Sequence, residues 1–295
     1  MSRLSQTWFL EPLSLGYPDV MEFIIDEIHE IFAILDALEC ITEDDKNNIL
    51  THLAKDFWKK GRNDGTPYIN HLKNTLLGVV RQYNHHPTRI ATIVALLHDS
   101  IEDTREKFEK IKEKYGEEIA LCVEFLSKES IWKFIWRDIE NWEDGALEEH
   151  NLLRELFYKL EWRWVEHEYI ILDEELTQEE REIYNRLKQR YKKIREEVYF
   201  SKFKARVVVK NTLRENAQKR NIELSDEKLE KLTDVIISVK LSDRSHNLAT
   251  LTKNHRKKIE ETIKHMRNLI IEVIHTPLWI DISTTLSWLQ YKYEK

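Results

Sequence analysis

Glycine and proline are scarce in this chain of 295 residues, which holds six of the first and five of the second. Collagen-like, mucin-like and linker-rich organisations, which need one or both in quantity, are excluded. Proline is missing between Pro87 and Pro277, and glycine occurs there only at Gly116 and Gly145, so helical patterns run with few breakers. The two cysteines, Cys40 and Cys122, lie far apart and outside any paired motif. That excludes a disulfide scaffold, fits a reducing compartment and leads us to expect two buried thiols. Long apolar runs are lacking too: none reaches the roughly 20 residues that span a bilayer, and no apolar core follows Met1 to Ser5. A cytoplasmic protein with no membrane partner is expected. Nor is there an excess of positive charge; the net charge of -7 lacks the footprint of a protein that coats duplex nucleic acid. A local basic patch against a small anion remains compatible with it.

What is present is 41% hydrophobic and 34% charged, and a chain this long buries roughly three quarters of its unfolded surface. The pattern is helical. Ile24, Ile25, Ile28, Ile31, Phe32, Leu35 and Leu38 recur mostly at three- and four-residue steps, the stripe of an amphipathic helix. Thr42 ahead of Glu43, Asp44 and Asp45 is an N-cap with acids in the first turn, opening a helix to about Lys60. A loop with Gly61, Gly65 and Pro67 follows, then a helix from about Tyr68 to Tyr83. A further helix from near Pro87, apolar enough to be central, runs through Ile93, Val94, Leu96 and Leu97 to His98 and Asp99.

Residues 131–200 differ in character. Five of the nine tryptophans, Trp132, Trp136, Trp142, Trp162 and Trp164, sit there among dense charges. Thr177 to Glu180 reads as a capping box, followed by a narrow stripe of Ile183, Leu187, Tyr191, Ile194 and Val198. The segment is read as a helical insertion in a single domain of residues 1–295. Its stripe is read first as packing on its own chain, with a dimerisation or partner-binding arm as the alternative.

Chemistry concentrates in His98-Asp99-Ser100-Ile101-Glu102-Asp103. On a continuous helix His98 and Asp99 converge on one ion, while Glu102 and Asp103 stack over them at i,i+4. Imidazole with carboxylate suits a six-coordinate divalent ion such as Mn²⁺, with Fe²⁺ and Zn²⁺ as alternatives. Two ligands are too few, and His71 and Asp243, each beside an apolar helical pattern, are candidates to complete the set. His29-Glu30 and His167-Glu168 lack the second histidine of a zincin helix.

Taken together the motifs resemble the HD-domain alarmone hydrolases of the RelA/SpoT type, including their stand-alone small forms. Gly65 to His71 is similar to that family's G-x-P-Y-I-x-H, His98 to Asp103 to its H-D-x-x-E-D, and Lys240 to Leu251 to its K-L-A-D-R-x-H-N-x-x-T-L. Glu113 to Lys128 is similar to its F-G-x-E-V-A helix and T-K end. The resemblance implies an all-α HD-domain helical bundle whose metal is held by His71, His98, Asp99 and Asp243. It also implies that Glu102 and Asp103 handle the attacking water and the leaving group, and that the substrate is guanosine tetra- or pentaphosphate, cleaved at the 3′ position to pyrophosphate and GDP or GTP. Arg62, in the family's basic position before the G-x-P-Y loop, is expected at the substrate, with Asn247 at the ribose and Lys128 and Arg244 as further cations. No synthetase domain is expected beyond Asn247. The chain departs from the family at Leu72, where a proline is usual, and at Phe57 to Lys60. Two other readings remain open at this stage: the same metal chemistry on another nucleotide, and a regulatory, antitoxin-like protein acting through 131–200.

Overall fold

The computed structural model describes residues 18–54, 66–104, 106–129, 177–250 and 259–264. Arg62, the stretch from Phe57 to Lys60 and most of the tryptophan-rich segment lie outside them. Each secondary-structure element among the described residues is a helix, as the all-α class requires. They include α1 (Pro18–Ala37), α2 (Glu43–His52), α3 (Tyr68–Gln82), α4 (Arg89–Leu97), α5 (Ser100–Asp103), α6 (Phe108–Tyr115), α7 (Glu117–Leu126), α8 (Gln178–Ser201), α9 (Arg206–Lys219) and α10 (Asp226–Thr250). Among the described residues no helix is long and apolar enough to cross a membrane. The chain divides into two compact units, Met1–Ser127 with Lys202–Lys295, and Lys128–Ser201.

The first unit is built around α4. Ala91, Ile93, Val94, Ala95, Leu96 and Leu97 are fully buried, and each large aliphatic among them contributes roughly 1.5–3 kcal/mol relative to exposure. Helices α3, α7 and α10 pack on it. Thr88 caps α4 by accepting the Ala91 amide at 3.2 Å. Gly116 separates α6 from α7 with φ of 101°, a conformation that costs glycine little and other residues much. The apolar stripe read in α1 faces inward at Ile24, Ile31 and Leu35. Cys122 is buried as expected, and burial pushes its thiol pKa up; Cys40 is only half-buried, a correction that follows from its place in the turn between α1 and α2.

Helices α3 and α10 form the frame of the site. They run antiparallel: Gln82 Nε2 donates to Ser238 O at 3.1 Å and to Ser242 Oγ at 2.5 Å, while His71 lies beside His246 further along. The helices approach closely because Gly78 faces Ser242; a Cβ on Gly78 would fall 2.6 Å from Ser242 Oγ. That closeness brings side chains of two turns of α10 onto His71.

In the second unit α8 begins directly after Thr177, whose carbonyl accepts the Arg181 amide at 3.0 Å. The narrow stripe needs correction at its end, where Val198 is exposed and Tyr199 is buried along with Tyr191. A 3.6-residue helix drifts from a strict heptad, so the buried edge passes to the residue eight positions on. Lys128 Nζ stands 5.3 Å from the centre of the Tyr199 ring.

At α2 the capping box of Thr42 and Asp45 is complete. Arg89 adds two hydrogen bonds to the same carboxylate, Nε to Oδ2 at 2.8 Å and Nη2 to Oδ1 at 2.6 Å. Burial works against the Asp45 charge, but Arg89 and Thr42 outweigh it and hold its pKa below the ordinary value. A carboxyl lowered in the folded state adds stability above its unfolded pKa and loses it as pH falls through the folded one. Asp45→Asn is therefore expected to cost about 1–3 kcal/mol at neutral pH by urea unfolding. Its difference from wild type should shrink as pH drops below about 4; a difference that stays constant across that range would contradict the assignment.

Candidate metal centre

His71 comes from the first turns of α3, where Pro67 precedes the helix and the buried Ile69, Leu72 and Leu76 seat it in the core. His98 and Asp99 follow α4. The reading of His98 to Asp103 as one continuous helix needs correction, because α4 ends at Leu97 and the two residues form the turn before α5. The physical reason lies in the His98 ring: its Nδ1 bonds the Ala95 carbonyl at 2.9 Å, the acceptor that a continuing helix offers to the Asp99 amide. Asp99 takes φ of -100° and ψ of 3°. The Asp103 amide still bonds the Asp99 carbonyl at 2.8 Å, so Asp103 remains one turn beyond Asp99. Behind this turn, buried His52 Nε2 lies 2.7 Å from buried Ser100 Oγ and ties α2 to the start of α5.

The ligand atoms of His71, His98 and Asp99 lie within 4.8 Å of one another. His98 Nε2 is 3.1 Å and His71 Nε2 3.6 Å from Asp99 Oδ2, and His71 Nε2 is 3.5 Å from Asp243 Oδ1. Asp243, on α10, thus meets the same imidazole nitrogen as Asp99. The fit to a divalent cation rests on which nitrogens are committed. His98 spends Nδ1 on Ala95, and its buried Nε2 makes no well-aligned hydrogen bond among the described residues, its near neighbour being Asp99 Oδ2 at 3.1 Å; His71 spends Nδ1 on His246 Nδ1 at 2.9 Å. Two Nε2 atoms and the Asp99 carboxylate are left facing each other, with Asp243 meeting the group at His71 Nε2, a mixed nitrogen and oxygen set suited to a borderline or hard divalent ion. Asp99 keeps 20% of its side chain exposed while His71 keeps 1% and Asp243 6%, so solvent reaches the cluster from the Asp99 side.

Electrostatics follow from this crowding. Burial opposes a charged His98, but Asp99 and Asp243 outweigh it and push its pKa up to about 9. Burial lowers His71 below the ordinary imidazole value, and the same carboxylates offset this only in part. Burial also works against both carboxylates; His98 and His71 around Asp99, and Lys240, Arg244 and the imidazoles around Asp243, hold both well below the usual range. Lys240, itself buried, donates to Asp243 Oδ2 at 2.8 Å. Arg244 Nε lies 3.8 Å from the same oxygen, and Asn247 Nδ2 donates to Asp243 Oδ1. The Tyr68 hydroxyl donates to Asp99 Oδ2 and also contacts Asp103; burial and these two acids push its pKa up, so it stays a donor.

Of the residues singled out in the sequence, His71, His98, Asp99 and Asp243 are brought together, with Asp103 one turn beyond Asp99. Glu102 lies beside Asp103 on α5, half-buried. Asn247 and Arg244 flank Asp243, Lys128 belongs to the second unit, and Arg62 is outside the described residues. Sequence reasoning gave no role to His246, Tyr68, Lys240 or His52. His246 had a signal, since it follows Asp243 by three residues and so shares its helix face; His52 had none.

Comparison with known proteins bears on this site. A stretch of 81 residues is 41% identical to the guanosine-3′,5′-bis(diphosphate) 3′-pyrophosphohydrolase of Aquifex aeolicus strain VF5, covering 28% of this chain and 11% of that one. A stretch of 62 residues is 44% identical to the guanosine-3′,5′-bis(diphosphate) 3′-pyrophosphohydrolase MESH1 of Xenopus tropicalis, covering 20% of this chain and 32% of the relative. Both relatives carry the activity that the motifs resemble in their names. The chain therefore spans about a tenth and about a third of the length of these curated relatives. No protein-family model matches the chain, and no solved structure does.

If the four groups act on one ion, loss of a single carboxylate is decisive. Asp99→Asn is expected to weaken binding of a divalent cation at least tenfold by calorimetry, with the helical circular dichroism unchanged. Equal affinity in the variant would contradict a shared site.

Proposed function

We propose that this chain is a metal-dependent phosphohydrolase of the HD type. In this reading it removes the 3′-pyrophosphate from guanosine tetraphosphate or pentaphosphate, leaving GDP or GTP respectively. The observation that supports the reading is the cluster of His71, His98 and Asp99, met by Asp243 at His71 Nε2, with Glu102 and Asp103 on the short helix α5 that follows Asp99. The names of the two partial relatives support the choice of substrate. His71, His98, Asp99 and Asp243 would hold the ion, for which Mn²⁺ matches the mixed donor set best. Held there, a divalent ion supplies the Lewis acidity that polarises a phosphoryl oxygen and activates water.

The protein's own groups do the rest. Glu102 and Asp103 orient the attacking water, take its proton and return one to the leaving 3′ oxygen; the oxygen of water joins phosphorus as the bond from phosphorus to the 3′ oxygen breaks. The Tyr68 hydroxyl, touching both Asp99 and Asp103, keeps the acid at a fixed distance from the ligand. Arg244, beside Asp243, would offer a cation to the phosphates and Asn247 an amide near the ribose; for Arg62 and Lys128 a substrate role rests on the motif resemblance alone. Residues 131–200 form an insertion within the hydrolase domain in this account, open to a second copy or a protein partner, and the enzyme works in the cytoplasm. The same chemistry on a different nucleotide is a second reading, favoured by the departures at Phe57 to Lys60 and Leu72.

With Mn²⁺ present, wild type is expected to release pyrophosphate and GDP from guanosine tetraphosphate. Glu102→Ala/Asp103→Ala should lose about 10²–10⁴-fold in turnover while still binding the metal. Turnover of another nucleotide alone would favour the second reading, and full activity in the double variant would remove the acid pair from the mechanism.

A further inference from the structure

The contact between His71 and His246 is used by none of the roles assigned so far. The two rings lie with centroids 5.1 Å apart at 39°, and the polar contact between them runs Nδ1 to Nδ1 at 2.9 Å. One nitrogen must donate and the other accept, so the direction of this bond decides where His71 carries its proton. If His71 donates, its Nε2 presents a lone pair toward Asp99 and Asp243. If His246 donates, the His71 proton sits on Nε2, where a ligand lone pair is needed.

We infer that His246 is a positioning residue, accepting the His71 Nδ1 proton and thereby fixing the tautomer and ring orientation in which His71 binds a metal. The inference rests on the metal reading of the four-residue cluster. Its support is geometric. His246 follows Asp243 by three residues on α10, so one helix face delivers a carboxylate to one nitrogen of His71 and an acceptor to the other. The two helices stand close, because Gly78 lets α3 approach α10 at Ser242. The ring has little room to turn: His71 is 1% exposed and is packed edge-on by Tyr68 and His98 at 5.5 and 5.3 Å. Metal-ligating histidines generally bond their second nitrogen to a carboxylate, a carbonyl or water. Here a second imidazole fills that place.

His246→Phe keeps an aromatic ring against His71 and removes the acceptor, whereas His246→Asn places a side-chain oxygen close to where Nδ1 stood. By calorimetry, the phenylalanine variant is expected to bind Mn²⁺ about 10–100-fold more weakly than wild type, and the asparagine variant to within about threefold of it. In wild type loaded with diamagnetic Zn²⁺, nitrogen-15 spectra should show a scalar coupling across the hydrogen bond between His71 Nδ1 and His246 Nδ1. Unchanged affinity in His246→Phe, equal loss in both variants, or absence of that coupling overturns the positioning role. A wild-type protein that binds neither ion overturns the metal reading beneath it.

Discussion

Two carboxylates, Asp99 and Asp243, approach one nitrogen of a buried histidine from two different helical segments, at 3.6 and 3.5 Å. Buried negative charges this close repel each other and lose hydration, so they persist only where positive charge and donors converge on them. Much of the surrounding structure serves that need. Lys240, Arg244 and Asn247 gather on Asp243 from the same helix, Tyr68 donates to Asp99, and His98 leans toward the protonated state between the two acids. In the proposed reading a divalent cation would answer the same demand more compactly, with charge beside the His71 Nε2 that both acids approach.

The helices are arranged to keep that point fixed. The buried stretch of α4 from Ala91 to Leu97 anchors the His98–Asp99 turn in the core, and the Ala95 carbonyl holds the His98 ring with Nε2 turned toward the cluster. The Gly78–Ser242 approach sets the distance between α3 and α10, and with it the distance from His71 to Asp243 and His246. His52 and Ser100 join α2 to the start of α5, the helix that carries Glu102 and Asp103. Groups suited to binding an ion and groups suited to moving protons thus lie on neighbouring turns of one short segment, beside the exposed edge of Asp99.

Much of this was legible in the sequence, for identifiable reasons. The scarcity of glycine and proline announced a helical fold, and the unbroken apolar run from Ile93 to Leu97 announced its central helix. The Thr42 cap was readable because a cap is a local device, complete within four residues. His71, His98, Asp99 and Asp243 could be nominated from motifs, but their distances could not, since they depend on two helices closing over Gly78. The break at His98 was missed because a side chain competing for the Ala95 carbonyl leaves no mark in a periodicity. The outward turn of Val198 was missed because a short stripe does not distinguish a heptad from a drifting helical edge. His52 meets Ser100 across 48 positions, a pairing that nothing near either residue signals.

The central claim is that these four side chains share one cation, and diffraction tests it most directly. Crystals grown with Mn²⁺ and measured at the manganese absorption edge should give a single strong anomalous peak in contact with His71 Nε2, His98 Nε2 and the carboxylates of Asp99 and Asp243. A protein crystallised in saturating Mn²⁺ with no peak among those atoms, or with its peak elsewhere, would contradict the account.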